Sequence, residues 1–165
     1  MRLACLAVVV TAGCSGVASD GERPLGALDG EAYARDVHPI LEARCATLDC
    51  HGVDDRPLRL YAETGLRARD DLRDLPIESA ELEANVRAIQ AIDPDAEPAA
   101  SLFVRKPLAP AAGGLAHEGG IVWADRDEPQ LVCVLAWLAG ASDEPTAAAA
   151  CATAADQVAL PPESP

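Results

Sequence analysis

Six cysteines constrain this chain more than any other feature, because each must end in a covalent bond, a modification or a buried thiol. They stand at positions 5, 14, 45, 50, 133 and 151. One falls in an apolar leader, one where that leader ends, two beside His51 and two near the C-terminus. In an oxidising compartment a free thiol is a liability, so a division that leaves none over is informative.

The leader begins Met1-Arg2, runs apolar from Leu3 to Val10 and reaches small residues at Thr11-Ala12-Gly13. This is signal-peptide anatomy, and the apolar run is too short to span a bilayer. Thr11-Ala12-Gly13-Cys14 resembles the lipobox of bacterial lipoproteins, with Thr where Leu is more usual. The resemblance implies cleavage before Cys14 and lipid on its thiol. Two acyl chains already anchor a protein stably, at about 0.8 kcal/mol per buried methylene. An ordinary cleaved leader with an incidental cysteine is the alternative, and both readings export the mature protein. Ser15 after Cys14, in place of Asp, points under the sorting rules of such lipoproteins to the outer membrane, with the domain facing the periplasm. The expected organisation is a signal peptide at 1–13, a flexible tether at 14–30, one helical domain at 31–141 and an Ala/Pro-rich tail at 142–165.

Acidic side chains number 27 against 13 basic ones, for a formal net charge of -14. Nucleic acid and anionic membrane surfaces would repel such a chain, so membrane attachment falls to the lipid and nucleic acid is excluded as a partner. Tyr33, Val37, Ile40 and Leu41 fall at helical spacing, with Pro39 at a helix start or a kink before Cys45. Tyr61 to Leu72 mixes Arg and Asp as a short solvated helix would. Leu82, Val86 and Ile89 predict an amphipathic helix over 79–92. One or two turns are expected over 99–106, then a Pro/Ala/Gly loop to Gly120. A last helix over 128–139 has Asp127 as its cap, Pro129 in its first turn and Gly140 at its end, with Leu131, Leu135 and Leu138 as its buried stripe. The tail beyond Gly140 offers little to pack apart from Cys151. No alternating strand pattern is present, so the fold class is all-α, a small helical domain with long loops.

Chemistry concentrates in Cys45-Ala46-Thr47-Leu48-Asp49-Cys50-His51. Covalent c-type haem attachment needs two thiols for the two vinyl groups and an imidazole directly after the second thiol to reach the iron. Cys50 and His51 are adjacent, but four residues separate the cysteines where two are common. The two anchor points are still within reach if Ala46 to Asp49 bulge outward. Two other readings remain: a small Cys45–Cys50 disulfide loop with His51 on the surface, and a thiolate metal site. The latter is uncommon outside a reducing compartment and lacks a second ligand pair.

Val37-His38-Pro39-Ile40-Leu41, Cys45, Cys50-His51-Gly52, Ser101-Leu102, Lys106-Pro107, Gly113-Gly114, His117, Gly119-Gly120 and Trp137-Leu138 before Gly140 together resemble a cytochrome c-like domain of bacterial periplasmic haem lipoproteins. The likeness covers residues 31–141. It implies a cytochrome c-like helical fold, one covalent haem c and an electron-transfer role with an unidentified redox partner protein, in place of an enzymatic one.

Met1 is the only methionine and leaves with the leader, so His/Met ligation is excluded. Of the other histidines, His117 is preferred over His38 as the second iron ligand beside His51. Its flanking glycines allow close backbone approach to a flat macrocycle, and it is far enough from His51 in sequence to return on the opposite face. His38 precedes Pro39 and is expected at a helix entrance. Without His117 the iron would be open, as in a haem enzyme. Cys133 and Cys151 are expected to form a disulfide, and Arg105 or Lys106 to meet haem propionates. Trp123 and Trp137 are expected in the core or at the haem edge. The competing function is a haemless lipoprotein, stapled by Cys45–Cys50 and Cys133–Cys151, that serves as a binding or scaffold module.

Overall fold

Asp29 opens the first helix: its carboxylate accepts from the Glu31 and Ala32 N–H groups at 2.8 and 3.1 Å. The computed structural model describes residues 28–159, so Cys5, Cys14, the leader and most of the tether lie outside the described residues. Helix α1 (Gly30–Ala32) runs through a π-helical turn, Tyr33–Val37, into α2 (His38–Arg44). The wide turn ends two positions before Pro39, whose ring would otherwise meet the carbonyl four residues back. Tyr33 and Val37 are fully buried there, and the turn touches α3, α5 and α6.

Helix α3 (Ser79–Gln90) starts from a capping box between Glu78 and Glu81. It buries Val86 and Ile89 as its period requires, and also Glu81 and Asn85. A 3-10 turn at Pro98–Ala100 precedes α4 (Leu102–Arg105), which Ser101 caps. A second 3-10 turn, Pro110–Ala112, ends at Gly113 with φ 90°. Helix α5 (Pro129–Leu138) buries Leu131, Val134, Trp137 and Leu138, while Leu135 is half-buried; Gly140 follows with φ 67°. The Trp137 indole donates to the Asp29 carbonyl at 2.9 Å and tilts against the Tyr33 ring, tying α5 to α1. Among the described residues there is no strand, only two isolated bridges, so the class is helical.

Three expectations from the sequence are corrected. Residues 61–72 form no helix apart from the 3-10 turn Asp70–Leu72. Their backbone is held by side chains of α3 and its neighbours. Asn85 pairs with both the N–H and the carbonyl of Tyr61 at 2.7 and 2.8 Å, and Glu81 accepts from the Ala68 N–H at 2.7 Å. The guanidinium of Arg67 meets the carbonyls of Leu72, Leu75 and Pro76. Second, the tail is helix α6 (Pro145–Ala159), packed along α5 and against α2, with Ala147, Cys151 and Ala154 buried. Cys151 is joined to Cys133 on α5. Third, Glu128 and not Asp127 stands at the start of α5, and its carboxylate accepts from the Ala124 and Asp125 N–H groups of the preceding turn.

Candidate functional site

Between the end of α2, the last turn of α3, α4 and the 113–123 loop lies a cavity of about 490 Å³. Cys45, Cys50, His51 and His117 all line it. The rest of its wall is mainly apolar, with Leu58, Ala88, Ala91, Ile92, Leu102, Phe103, Val122 and Trp123 among the contributors. No Asp or Glu lines it, although the chain carries 27; its charged lining residues are Arg44 and Lys106. An apolar slot with cations and without carboxylates suits an apolar ligand that carries anionic groups.

The cysteine segment follows α2 through two bonds to one carbonyl: Leu41 O accepts from both Cys45 N and Ala46 N at 2.8 Å. Thr47 O then accepts from Cys50 N and Gly52 N at 2.9 Å, and Cys45 O from His51 N at 2.8 Å. This double turn draws the two cysteines to one wall despite four intervening residues. Leu48 and Asp49 do bulge into solvent, but Ala46 is tucked in and 1 % exposed. A Cβ at Gly52 or Gly65 would overlap the Ala46 carbonyl oxygen, so two glycines hold that carbonyl from separate segments. The thiols of Cys45 and Cys50 are free. Burial, followed by the neighbouring Cys50, pushes the Cys45 thiol up to about 12.

His51 is fixed on both sides of its backbone, since its carbonyl accepts from Leu60 N at 2.8 Å. Its Nδ1 lies 2.9 Å from the Leu58 carbonyl, which can only accept; Nδ1 therefore carries the hydrogen and Nε2 the lone pair. Burial lowers the His51 pKa and favours the neutral ring, with the charges of His117 and Arg56 acting in the same direction against the Leu58 hydrogen bond. His117 repeats the arrangement, with Nδ1 3.1 Å from the Gly120 carbonyl. The two rings lie 20° from parallel with centroids 6.1 Å apart. One metal ion bonded to a nitrogen of each ring, at about 2 Å per bond, sets centroids about 6 Å apart. The spacing and the occupied Nδ1 atoms thus fit a shared ion with Nε2 as ligand on each side, although direct ring contact has the same spacing.

The glycines around His117 act on the protein more than on a ligand. A Cβ at Gly114 would overlap the Leu108 carbonyl, and one at Gly119 would stand 3.0 Å from His117 Cε1. Gly113 and Gly120 take positive φ at 90° and 81°. Lys106 lines the cavity, and its Nζ donates to the Ala116 carbonyl at 3.1 Å; Arg105 instead turns its Nε towards Gly113 O at 3.4 Å. The Trp123 indole N–H on the cavity wall is buried with no acceptor among the described residues, an unmet donor beside the slot. Trp137 lies in the core, away from the cavity lining.

His38 is not brought to this site. It is 6 % exposed inside α2, beside the Tyr33 ring and 3.7 Å from Glu42, and burial lowers its pKa. Sequence reasoning missed Arg44, Phe103, the α3 residue Ala88, and Ala91 and Ile92 just after α3, as cavity lining. The last three share one end of α3, where small alanines leave room against the slot; that pattern was the signal available. Compared with known proteins, the chain matches no family model, no curated protein and no solved structure.

Proposed function

We propose that this chain is an exported, lipid-anchored c-type cytochrome with a cytochrome c-like helical domain, carrying one haem thioether-linked to Cys45 and Cys50 and ligated by His51 and His117. It passes single electrons to and from a partner protein at the periplasmic face of the membrane, with the lipid on Cys14 as its anchor. The observation that carries the reading is that His51 and His117 line one mainly apolar cavity together with Cys45 and Cys50, with their ring centroids 6.1 Å apart. Bound haem supplies the one-electron couple, and two imidazole ligands favour a lower potential than His/Met and leave no free coordination position.

The chain's residues perform four tasks. Leu58 and Gly120 carbonyls fix the ring nitrogens that carry hydrogen, leaving each Nε2 as a ligand. Burial lowers the His51 pKa and so favours the neutral ring that can bind a metal ion. Phe103, Ile92 and Val122 exclude water and lower the local dielectric. Arg44 and Lys106 offer positive charge to the propionates.

The test is the mass and absorbance of mature protein made in a host with haem-attachment machinery. One haem added to the polypeptide mass, with the Soret band surviving denaturation, is the expected result. A colourless protein with a Cys45–Cys50 disulfide would overturn it and favour the stapled binding module.

A further inference from the structure

We infer that the turn bearing His117 is a gate: it swings away from the cavity and opens one side of the iron to a small neutral ligand of the carbon monoxide class, while His51 stays in place. This rests on the ligation proposed above.

The two histidines are anchored very differently. His51 is held through its N–H by Cys45 within the double turn, and through its carbonyl and its ring by Leu60 and Leu58, two residues outside that turn. From His117 to Ile121, among the described residues, no hydrogen bond reaches the rest of the protein. The two bonds this turn makes, Gly120 N to His117 O at 3.0 Å and the ring contact to Gly120 O, lie inside it. The acceptor that fixes the His117 tautomer therefore travels with the ring. His51 would lose its own on moving.

Departure also exposes little. Glu118, Gly119 and Gly120 are already exposed, and Ile121 is 62 % exposed. The ends of the segment are firm: Leu115 N donates to Arg105 O at 2.7 Å and Val122 N to Pro107 O at 2.9 Å. Between them the tie to the body is Lys106 Nζ to the Ala116 carbonyl, an exposed bond. Gly119 and Gly120, the latter with positive φ, give the turn backbone freedom at its far side. Few buried contacts and a single exposed tether are the marks of a segment that opens at low free-energy cost.

The cavity from which His117 departs is lined in part by Leu102, Phe103 and Val122 and has no carboxylate in its lining. A small apolar molecule is better suited to it than a strongly hydrated ion. In the exchange one iron–nitrogen bond breaks and one iron–carbon bond forms. The oxidation state is unchanged and the Nδ1 hydrogen stays on His117.

The experiment mixes the reduced, haem-loaded mature protein with carbon monoxide in a stopped-flow spectrometer. Uptake is expected at a rate that levels off at high ligand concentration, because departure of His117 becomes limiting. Lys106→Met, which cuts the tether, should raise that plateau several-fold. Gly119→Ala, which presses a methyl on the His117 ring, should raise it independently. Low-spin, haem-bearing protein that takes up no carbon monoxide overturns the gate and leaves the cytochrome reading intact, as does a plateau that neither variant moves. Protein that is high-spin before mixing, with uptake proportional to ligand throughout, overturns the His117 ligation itself.

Discussion

The carbonyl oxygen of Ala46 sits where a side chain at Gly52 or Gly65 would stand, so both positions require glycine for close backbone approach. The double turn that brings Cys45 and Cys50 to one wall depends on that approach. Gly65→Ala should push the inter-cysteine segment away from residue 65 while leaving α2, α3, α5 and α6 in place. The expected result is at least a halving of covalently attached haem at unchanged far-UV helicity, read by mass spectrometry of the intact chain; full attachment would refute the positional role. That Cys45, Cys50, His51 and His117 belong to one candidate site was legible in the sequence because thiols and imidazoles stand out by their own side chains, and all four line the cavity. Gly65 was not, because its contribution is the absence of a side chain opposite a carbonyl far along the chain. The Gly113-Gly114 and Gly119-Gly120 pairs were legible as special backbone, but not the reason: Gly114 faces the Leu108 carbonyl and Gly119 the His117 ring.

Helices were legible where an apolar period stood out, as for α3 with Val86 and Ile89, or had boundary signals beside it, as for α5 between Pro129 and Gly140. The 61–76 segment was not, because its order comes from polar groups buried on α3. Glu81 is 1 % exposed; burial alone would raise its pKa, but the Arg67 guanidinium and the Ala68 and Glu78 N–H groups outweigh it and hold the carboxyl at about 2 against an ordinary 4.5. A folded value below the unfolded one gives stability that is fully present above pH 4.5 and is lost as pH falls through about 2. Acid titration followed by circular dichroism should therefore show stability falling within that interval. Glu81→Gln should flatten this acid dependence and cost about 3–5 kcal/mol at pH 7, because Arg67 is left as a buried charge without its partner. Helix α6 was missed because alanine-rich sequence gives no periodic contrast; the Cys133–Cys151 bond links it to α5. With the two cysteines at a sequence separation of 18, the chain-entropy model gives about 3 kcal/mol for that link. Replacing both cysteines by serine should lower Tm by roughly 10 °C in calorimetry, and an unchanged Tm would mean that α6 docks without it.

At the scale of the whole molecule two charge distributions oppose each other. The chain has a formal net charge of -14, whereas the cavity's charged lining residues, Arg44 and Lys106, are both cationic. The range of each decides which one a redox reagent feels. At 0.01 M salt the Debye length is about 30 Å, long enough for a reagent approaching the cavity to sense the entire acidic surface. At 1 M it is about 3 Å, and mainly the groups at the contact remain effective. Electron exchange of the haem-loaded protein should therefore be faster with a small cationic one-electron reagent than with an anionic one of matched potential at low salt, by roughly tenfold or more. That preference should shrink steadily with added salt and end at parity or in favour of the anion near 1 M. Stopped-flow rates for the two reagents across the salt series provide the check. If the anionic reagent is favoured already at 0.01 M, the two local cations govern approach, and a natural partner would then present carboxylates to this face. If the cationic reagent leads and its lead falls with salt, the acidic surface governs encounter, and the partner's complementary surface is basic.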